Sequence, residues 1–198
     1  MKKGCLLIGI VALIALTAVI VLWGVSVYNN IIPKNNAVKA QWGNVETAYQ
    51  KRADLTDQLV STVKGARDFE QETLTQVVEA RSKATAINID PTHLTADDLA
   101  RFQQAQEGLS GALDRLMVVV EDYPDLKSNQ NFLELQASLE NMADEIRFEQ
   151  RKFNDTAQEY NNYIQKIPNN MIAGFGGFDE KGYFKASEGA DKAPSFNF

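Results

Sequence analysis

CLLIGIVALIALTAVIVLWGVSV, residues 5–27, is the stretch from which the rest of the chain is read. It lies inside a longer run, residues 4–33, in which no side chain carries a formal charge. As a helix, residues 5–27 rise about 35 Å, enough to cross a hydrocarbon core of about 30 Å with modest tilt. A cleavable leader has a shorter apolar region, of about 7 to 15 residues, followed by a small-residue cleavage site. Here the apolar run continues through Trp23 to Val27. The pattern predicts a permanent transmembrane helix over 5–27, embedded in a lipid bilayer and preceded by a short basic flank, residues 1–4.

Residues 28–198 suffice for one domain with a real core and are short for two. The chain has a net charge of −6, and setting aside Lys2 and Lys3 brings the remainder near −8. That balance argues against nucleic acid or an anionic lipid surface as the main partner, because both require clustered Lys and Arg. Cys5 is the only cysteine, so the domain beyond the span holds no disulfide and no thiolate metal cluster. Gly4-Cys5 superficially resembles the end of a lipoprotein processing site, but such a site has its apolar region ahead of the cysteine. Lys2, Lys3 and the amino terminus face Lys34 and Lys39 across the span. By the positive-inside tendency, the short flank is expected on the cytoplasmic side and the large domain outside.

Beyond the span, Pro33 is the first place where the helix is expected to bend or restart. Val38, Trp42, Val45, Tyr49, Arg52, Thr56, Leu59, Val63 and Ala66 then recur at steps of three and four, which predicts one long amphipathic helix. Gly65 marks its end. A second helix is expected from Phe69 to about Ile87, burying Leu74, Val77, Val78 and Ala84, and Pro91 breaks the pattern. Thr95 and Asp98 form a capping-box pattern that opens a third helix with the stripe Leu99, Phe102, Gln106, Leu109, Leu113, Leu116 and Val120. Tyr123-Pro124 stops it. Ser128 or Asn129 caps a fourth helix running to Ile167, whose inner face is Phe132, Leu135, Leu139, Met142, Ile146, Phe153, Ala157, Tyr160, Ile164 and Ile167.

No segment alternates with period two for long enough to suggest a sheet. The fold class is therefore all-α: an N-terminal transmembrane helix followed, over residues 28–167, by an antiparallel up-and-down four-helix bundle. The alternative is a three-helix coiled coil in which the first and second helices run on as one. Residues 168–198 form a tail rich in glycine and aromatics: Phe175, Phe178, Tyr183, Phe184, Phe196 and Phe198. These aromatics either pack back into grooves between helices or dock on lipid or a partner.

Catalytic chemistry finds little footing. His93 is the single histidine, so neither a zinc site nor a histidine triad is assembled. The Glu-x-x-His pairs of di-iron bundles and a glycine-rich phosphate loop are both missing from the sequence. No catalytic residue, metal ligand or cofactor is assigned. Two features stand out from the helical background. Arg52 occupies a seam position, where a guanidinium needs a carboxylate or carbonyl partner. Tyr123-Pro124-Asp125-Leu126-Lys127-Ser128-Asn129-Gln130-Asn131-Phe132 joins two long helices with an aromatic, a fixed proline, an acid, a base and three amides. Its plain structural role is a capped helix connection. Its functional role would be the tip of the bundle, gripping a partner with exposed polar groups on rigid supports. The candidate partner-binding residues are Tyr123, Pro124, Asp125, Lys127, Asn129 and Asn131 at this tip, with Arg52 in the seam and Phe175 and Phe178 in the tail.

The segment from Val118 to Leu133 closely resembles the central motif of the LemA family. The resemblance extends to residues 40–45, to Val63-Lys64-Gly65, to Val77-Val78-Glu79-Ala80-Arg81, to Phe153-Asn154, to Phe178 with Tyr183-Phe184, and to Ala193-Pro194. It implies a bacterial single-pass protein of the inner membrane with an antiparallel helical bundle and no established reaction. This chain departs from the family pattern at Thr56-Asp57-Gln58, at Phe69 and at Ala143-Asp144-Glu145. Phe69, where a histidine is common, removes any metal role resting on that side chain. Sequence and resemblance together point to a non-catalytic structural or interaction protein of the cell envelope, either self-associating or binding another envelope protein. The alternatives are a regulator or subunit of a membrane enzyme, and a lipid-binding protein.

Overall fold

The computed structural model describes residues 2–66 and 69–185, the first five of them by backbone alone. Six helices and no strand occur among the described residues: α1 (Lys2–Lys64), α2 (Gln71–Ala86), α3 (Ala96–Val120), α4 (Pro124–Lys127), α5 (Gln130–Gln165) and α6 (Asn169–Gly176). Phe196, Phe198 and the Ala193-Pro194 ending lie outside the described residues.

α1 joins what the sequence divides. The apolar span and the first amphipathic stripe are one helix, which runs through Pro33 without interruption. Its N-terminal part is long and apolar enough to cross a membrane, and every residue from Leu7 to Leu22 is exposed. Burial begins at Trp23, and Val27 and Ile31 are the first fully buried positions. The helix ends where Gly65 and Ala66 donate back to the carbonyls of Thr62 and Val63 at 3.2 and 3.0 Å.

Because α1 ends at Lys64 and α2 starts at Gln71, the alternative of a continuous first-plus-second helix is not met. α2 folds back along α1, with Arg81 Nε donating to the Ala53 carbonyl at 3.1 Å and its guanidinium paired to Asp57 at 2.5 Å. α3 runs antiparallel to α2: Gln106 reaches the Ala84 carbonyl near one end and Arg115 reaches Gln76 near the other. α5 runs antiparallel to α1, where Gln41 donates to the Glu149 carboxylate at 2.5 Å, Tyr49 meets Gln150 and Lys51 pairs with Glu145.

The stripe predicted for α3 is buried at every position, and its capping box is present. Thr95 Oγ1 accepts from the Asp98 amide at 3.1 Å, while the Thr95 amide donates to Asp98 Oδ2 at 3.4 Å. That hydroxyl holds the Asp98 carboxyl below the usual range. Two expectations fail. Val78 is 44 % exposed while Thr73 is buried, because the buried face of α2 is centred on Thr73, Leu74, Val77 and Ala84 and Val78 falls beyond its edge, past Leu74. Ile167 is 86 % exposed, because the chain leaves helical geometry at Lys166 and the seam ends at Ile164.

Buried apolar side chains form two clusters. The one nearer the span holds Trp42, Phe102, Phe153, Tyr160 and Phe184; the distal one holds Leu59, Val63, Leu109, Leu116, Leu126 and Phe132. Trp42 meets Phe102 and Phe153 edge-on at 5.2 and 5.9 Å, and Phe184 stacks on it at 6.1 Å and 14°.

The tail aromatic Phe184 thus completes a box begun by α1, α3 and α5. Replacing Phe184 by Ala in the full chain in detergent is expected to cost about 3–5 kcal/mol, read from Trp42 fluorescence in a denaturant titration. Thr95→Ala, which removes the α3 cap, is expected to cost about 1 kcal/mol in the same assay.

Burial also pushes the Tyr49 and Tyr160 phenols up to about 12 from 10.0. Because these folded-state values lie above the unfolded ones, the stability they confer is complete below about pH 10 and is lost as pH rises toward 12. Phenolate absorbance should show these two tyrosines ionising near pH 12 in the folded chain, and near pH 10 in denaturant.

Candidate functional site

The sequence nominates residues that the structure distributes over three places. The largest group is at the end of α1 far from the span. There α3 closes with the Glu121, Asp122 and Tyr123 amides donating to the carbonyls of Val118, Val119 and Val120. Pro124 supplies the first position of α4, where a missing N–H costs nothing and a fixed φ helps. Ser128 and Asn129 amides close α4 on the carbonyls of Pro124 and Leu126 at 3.0 Å each. Asn129 then caps α5, its Oδ1 accepting from the Phe132 amide at 3.2 Å. Leu126 and Phe132 are buried in the distal cluster. Every step of the turn is therefore fixed by a backbone bond, a cap or an apolar anchor.

Between this turn and the end of α1 lies an open cleft of about 580 Å³, lined by Thr62, Gly65, Ala66, Asp122, Tyr123, Pro124, Asp125, Leu126, Asn129 and Asn131. The Tyr123 ring lies 4.8 Å from that of Phe69. Lys127 does not line the cleft; it pairs with Glu121. The lining offers two carboxylates, two amides and two hydroxyl groups, and no basic side chain. A surface of that composition suits a donor-rich, cationic group.

Arg52 stands about 15 Å nearer the span, ten residues along α1 from Thr62. It is buried between the two apolar clusters. One terminal nitrogen donates to Ser110 Oγ at 3.0 Å, and the other to the Gln106 carbonyl and side-chain oxygens at 3.1 and 2.6 Å. The Tyr49 ring lies 5.0 Å from its Cζ. Gln106 in turn donates to the Ala84 carbonyl at 3.1 Å, so one amide links α1, α2 and α3. Of the two partners expected for this guanidinium the structure supplies the carbonyl. Burial lowers its pKa.

Phe175 and Phe178 are at the opposite end. Phe178 packs on Tyr28 of α1 at 5.4 Å, and Phe175 is 88 % exposed. The tip, Arg52 and the tail aromatics are therefore separate sites. His93 is exposed in the loop before α3, near Asp90 and Thr92. Among the described residues no three His, Cys, Asp or Glu side chains are grouped to hold a metal ion.

Sequence reasoning missed a fourth feature, a clamp on residues 178–185. Asn161 Nδ2 donates to the Lys181 carbonyl and its Oδ1 accepts the Lys181 amide, both at 2.8 Å. Asn154 treats Phe184 in the same way, at 2.9 and 2.8 Å. The geometry is commensurate: seven residues of α5 rise about 10.5 Å, and three residues of extended chain span about 10 Å. Between these points the Gly182 amide donates to the Leu94 carbonyl at 2.9 Å. Lys181 Nζ reaches the Thr92 carbonyl at 2.6 Å, and Gln103 holds Lys185 by both backbone groups. The available signal was two asparagines seven residues apart beside the apolar face of α5.

These features define a class: a helical protein in which an apolar helix long enough to cross a membrane continues directly into the packed domain. Residues 41–198 match the LemA family, and the chain belongs to it. It is 25 % identical over 145 residues to Protein LemA of Metamycoplasma hominis, covering 73 % of this chain and 63 % of that one. It is 26 % identical over 181 residues to Magnetosome protein MamQ 2 of Paramagnetospirillum magneticum, covering 83 % and 66 %. To Magnetosome protein MamQ of Magnetospirillum gryphiswaldense it is 36 % identical over 87 residues, covering 44 % and 32 %. The match to the first two spans just under two thirds of their length. No catalytic family is indicated.

Gly182 tests the clamp. A Cβ there would lie 2.7 Å from the Ala96 Cα and amide nitrogen, so Gly182→Ala must displace the chain from the start of α3. Trypsin is expected to cut this variant at Lys181 and Lys185 much faster than the parent chain, with helix content by circular dichroism unchanged.

Proposed function

We propose that this chain is a membrane-anchored, non-catalytic interaction protein of the bacterial cell envelope. Residues 5–27 hold it in the inner membrane with the N-terminus cytoplasmic and the domain outside. α1, α2, α3 and α5 act as an up-and-down four-helix bundle, a stiff stalk that displays the tip cleft. The cleft receives a Lys- or Arg-bearing segment of another envelope protein or of a second copy.

The observation that carries this reading is the placement of the Tyr123–Asn131 turn. It is held rigidly at the far end of α1, about 50 Å from Val27 along the helix, with an open acidic cleft beside it. Rigid support for exposed polar groups is what a binding surface needs, because little ordering entropy is then lost on contact. Membership of the LemA family supports a membrane-associated role.

The test is site-specific photocrosslinking in cells. A photoreactive residue at Asn131, which is exposed and lines the cleft, should yield a discrete protein adduct that is lost on Asp125→Ala. The same residue at Gln158, exposed on α5, should not. Equal adducts at both positions, or none at Asn131, would sink the proposal.

A further inference from the structure

Among the described residues, α6 buries one side and leaves the other without a partner. Ala173 is buried against the cluster that holds Val27 and Ile31, and Ile172 Cδ1 lies 3.4 Å from where a Cβ on Gly24 would stand. Gly177, at φ 67°, ends the helix in the left-handed region, which a glycine adopts freely. The Phe178 amide then returns to the Ala173 carbonyl at 3.0 Å, which seats Phe178 on Tyr28. The helix is thus fixed beside residues 24–31 of α1, where the exposed apolar span gives way to the packed domain.

Its outer face is apolar. Met171 and Phe175, one turn apart, are 60 % and 88 % exposed, and Ile167 just before the helix is equally open. Residues 167–178 contain no charged side chain, and neither do residues 4–33. The two uncharged stretches lie side by side. The first charges met on leaving them toward the domain are Lys34 and Lys166, and Asp179 and Glu180 just after Phe178, with Lys34 set over the Tyr163 ring at 5.7 Å. Trp23, half-buried, and Tyr28, exposed, stand at the same level of α1, as aromatic residues do at a membrane–water boundary.

From this we infer that α6 is an interfacial helix whose Ile167, Met171 and Phe175 insert into the headgroup–acyl boundary of the bilayer that α1 spans. The occupant follows from continuity. The outer face of α6 prolongs the exposed apolar surface of Leu22, Val25 and Tyr28, and the medium that covers one covers the other. A short helix that turns apolar side chains outward and has no charge to desolvate can bury them at the headgroup–acyl boundary. Lipid contact here also sets the height of the domain, since α6 is packed against α1 on one side and hydrogen-bonded to Lys166 at the end of α5 on the other. The inference rests on the span being in the membrane, and its test separates the two.

Nitroxide labels are placed, one at a time, in a Cys5→Ser background of the full chain reconstituted in phosphatidylcholine vesicles: at Phe175→Cys, at Leu13→Cys within the span, and at Gln158→Cys in water. Collision rates with oxygen, which partitions into lipid, and with a polar nickel chelate, which does not, give the depth of each. The label at residue 175 is expected to collide with the nickel chelate several-fold less than that at 158, and with oxygen more, at a depth shallower than 13. Equal nickel access at 175 and 158 overturns the inference. Shielding of 175 from both reagents also overturns it, in favour of a protein covering that face. An aqueous label at 13 refutes the span itself. Met171→Cys, on the same face, must follow Phe175→Cys.

Discussion

The constraint on which the structure depends is that α1 never stops being a helix between its apolar half and its packed half. A hinge at Pro33 would have let the domain swing independently. Instead the helix continues across it, without the one hydrogen bond that a proline cannot donate, and from Val27 onward the same cylinder that leaves the apolar region presents Val38, Trp42, Val45 and Leu59 to its neighbours. α2 and α5 both pack antiparallel to it, and α6 is lodged against its residues 24–31. All three therefore take their position along the axis in part from α1.

Along that axis the interior is divided. Two apolar clusters are separated by a level at which Arg52, Gln106, Thr56 and Ser110 exchange hydrogen bonds. Apolar seams alone leave register weakly defined, because sliding one helix by a heptad restores similar contacts. A buried guanidinium is less forgiving, since displacing it from Gln106 and Ser110 strands a charge at several kcal/mol. Arg52 is thus better understood as the element that fixes the relative level of α1 and α3 than as part of a contact surface.

Much of this was legible in the sequence because solvent enforces the periodicity. The α3 stripe and its cap could be read residue by residue, as could the burial of Arg52 and Thr56. Reading failed where something other than helical period decided. Val78 is hydrophobic but off the face that α2 turns inward. Ile167 continues the spacing of α5 only on paper, because the backbone has already changed direction at Lys166. The tip turn was recognised from its punctuation, yet nothing local indicated that Lys127 would face Glu121 rather than the cleft. The clamp was invisible for a deeper reason: it joins side-chain amides on one element to backbone groups on another, and such pairs leave no period.

That clamp has a geometric corollary. Each amide grips the N–H and C=O of one residue, so it recognises the backbone and its direction, and Asn161 Nδ2 adds a bond to the Tyr183 hydroxyl at 2.9 Å. Lys181 and Phe184 are an odd number of residues apart, and a regular strand would turn them to opposite sides. Both face α5, so the backbone makes half a revolution between them, at Gly182 and Tyr183. A slip of one residue would misalign the backbone groups with each asparagine and push a side chain against Ala96, where only a glycine fits. The segment is therefore indexed like a key with two notches, while the chemistry of its outward positions remains free to drift.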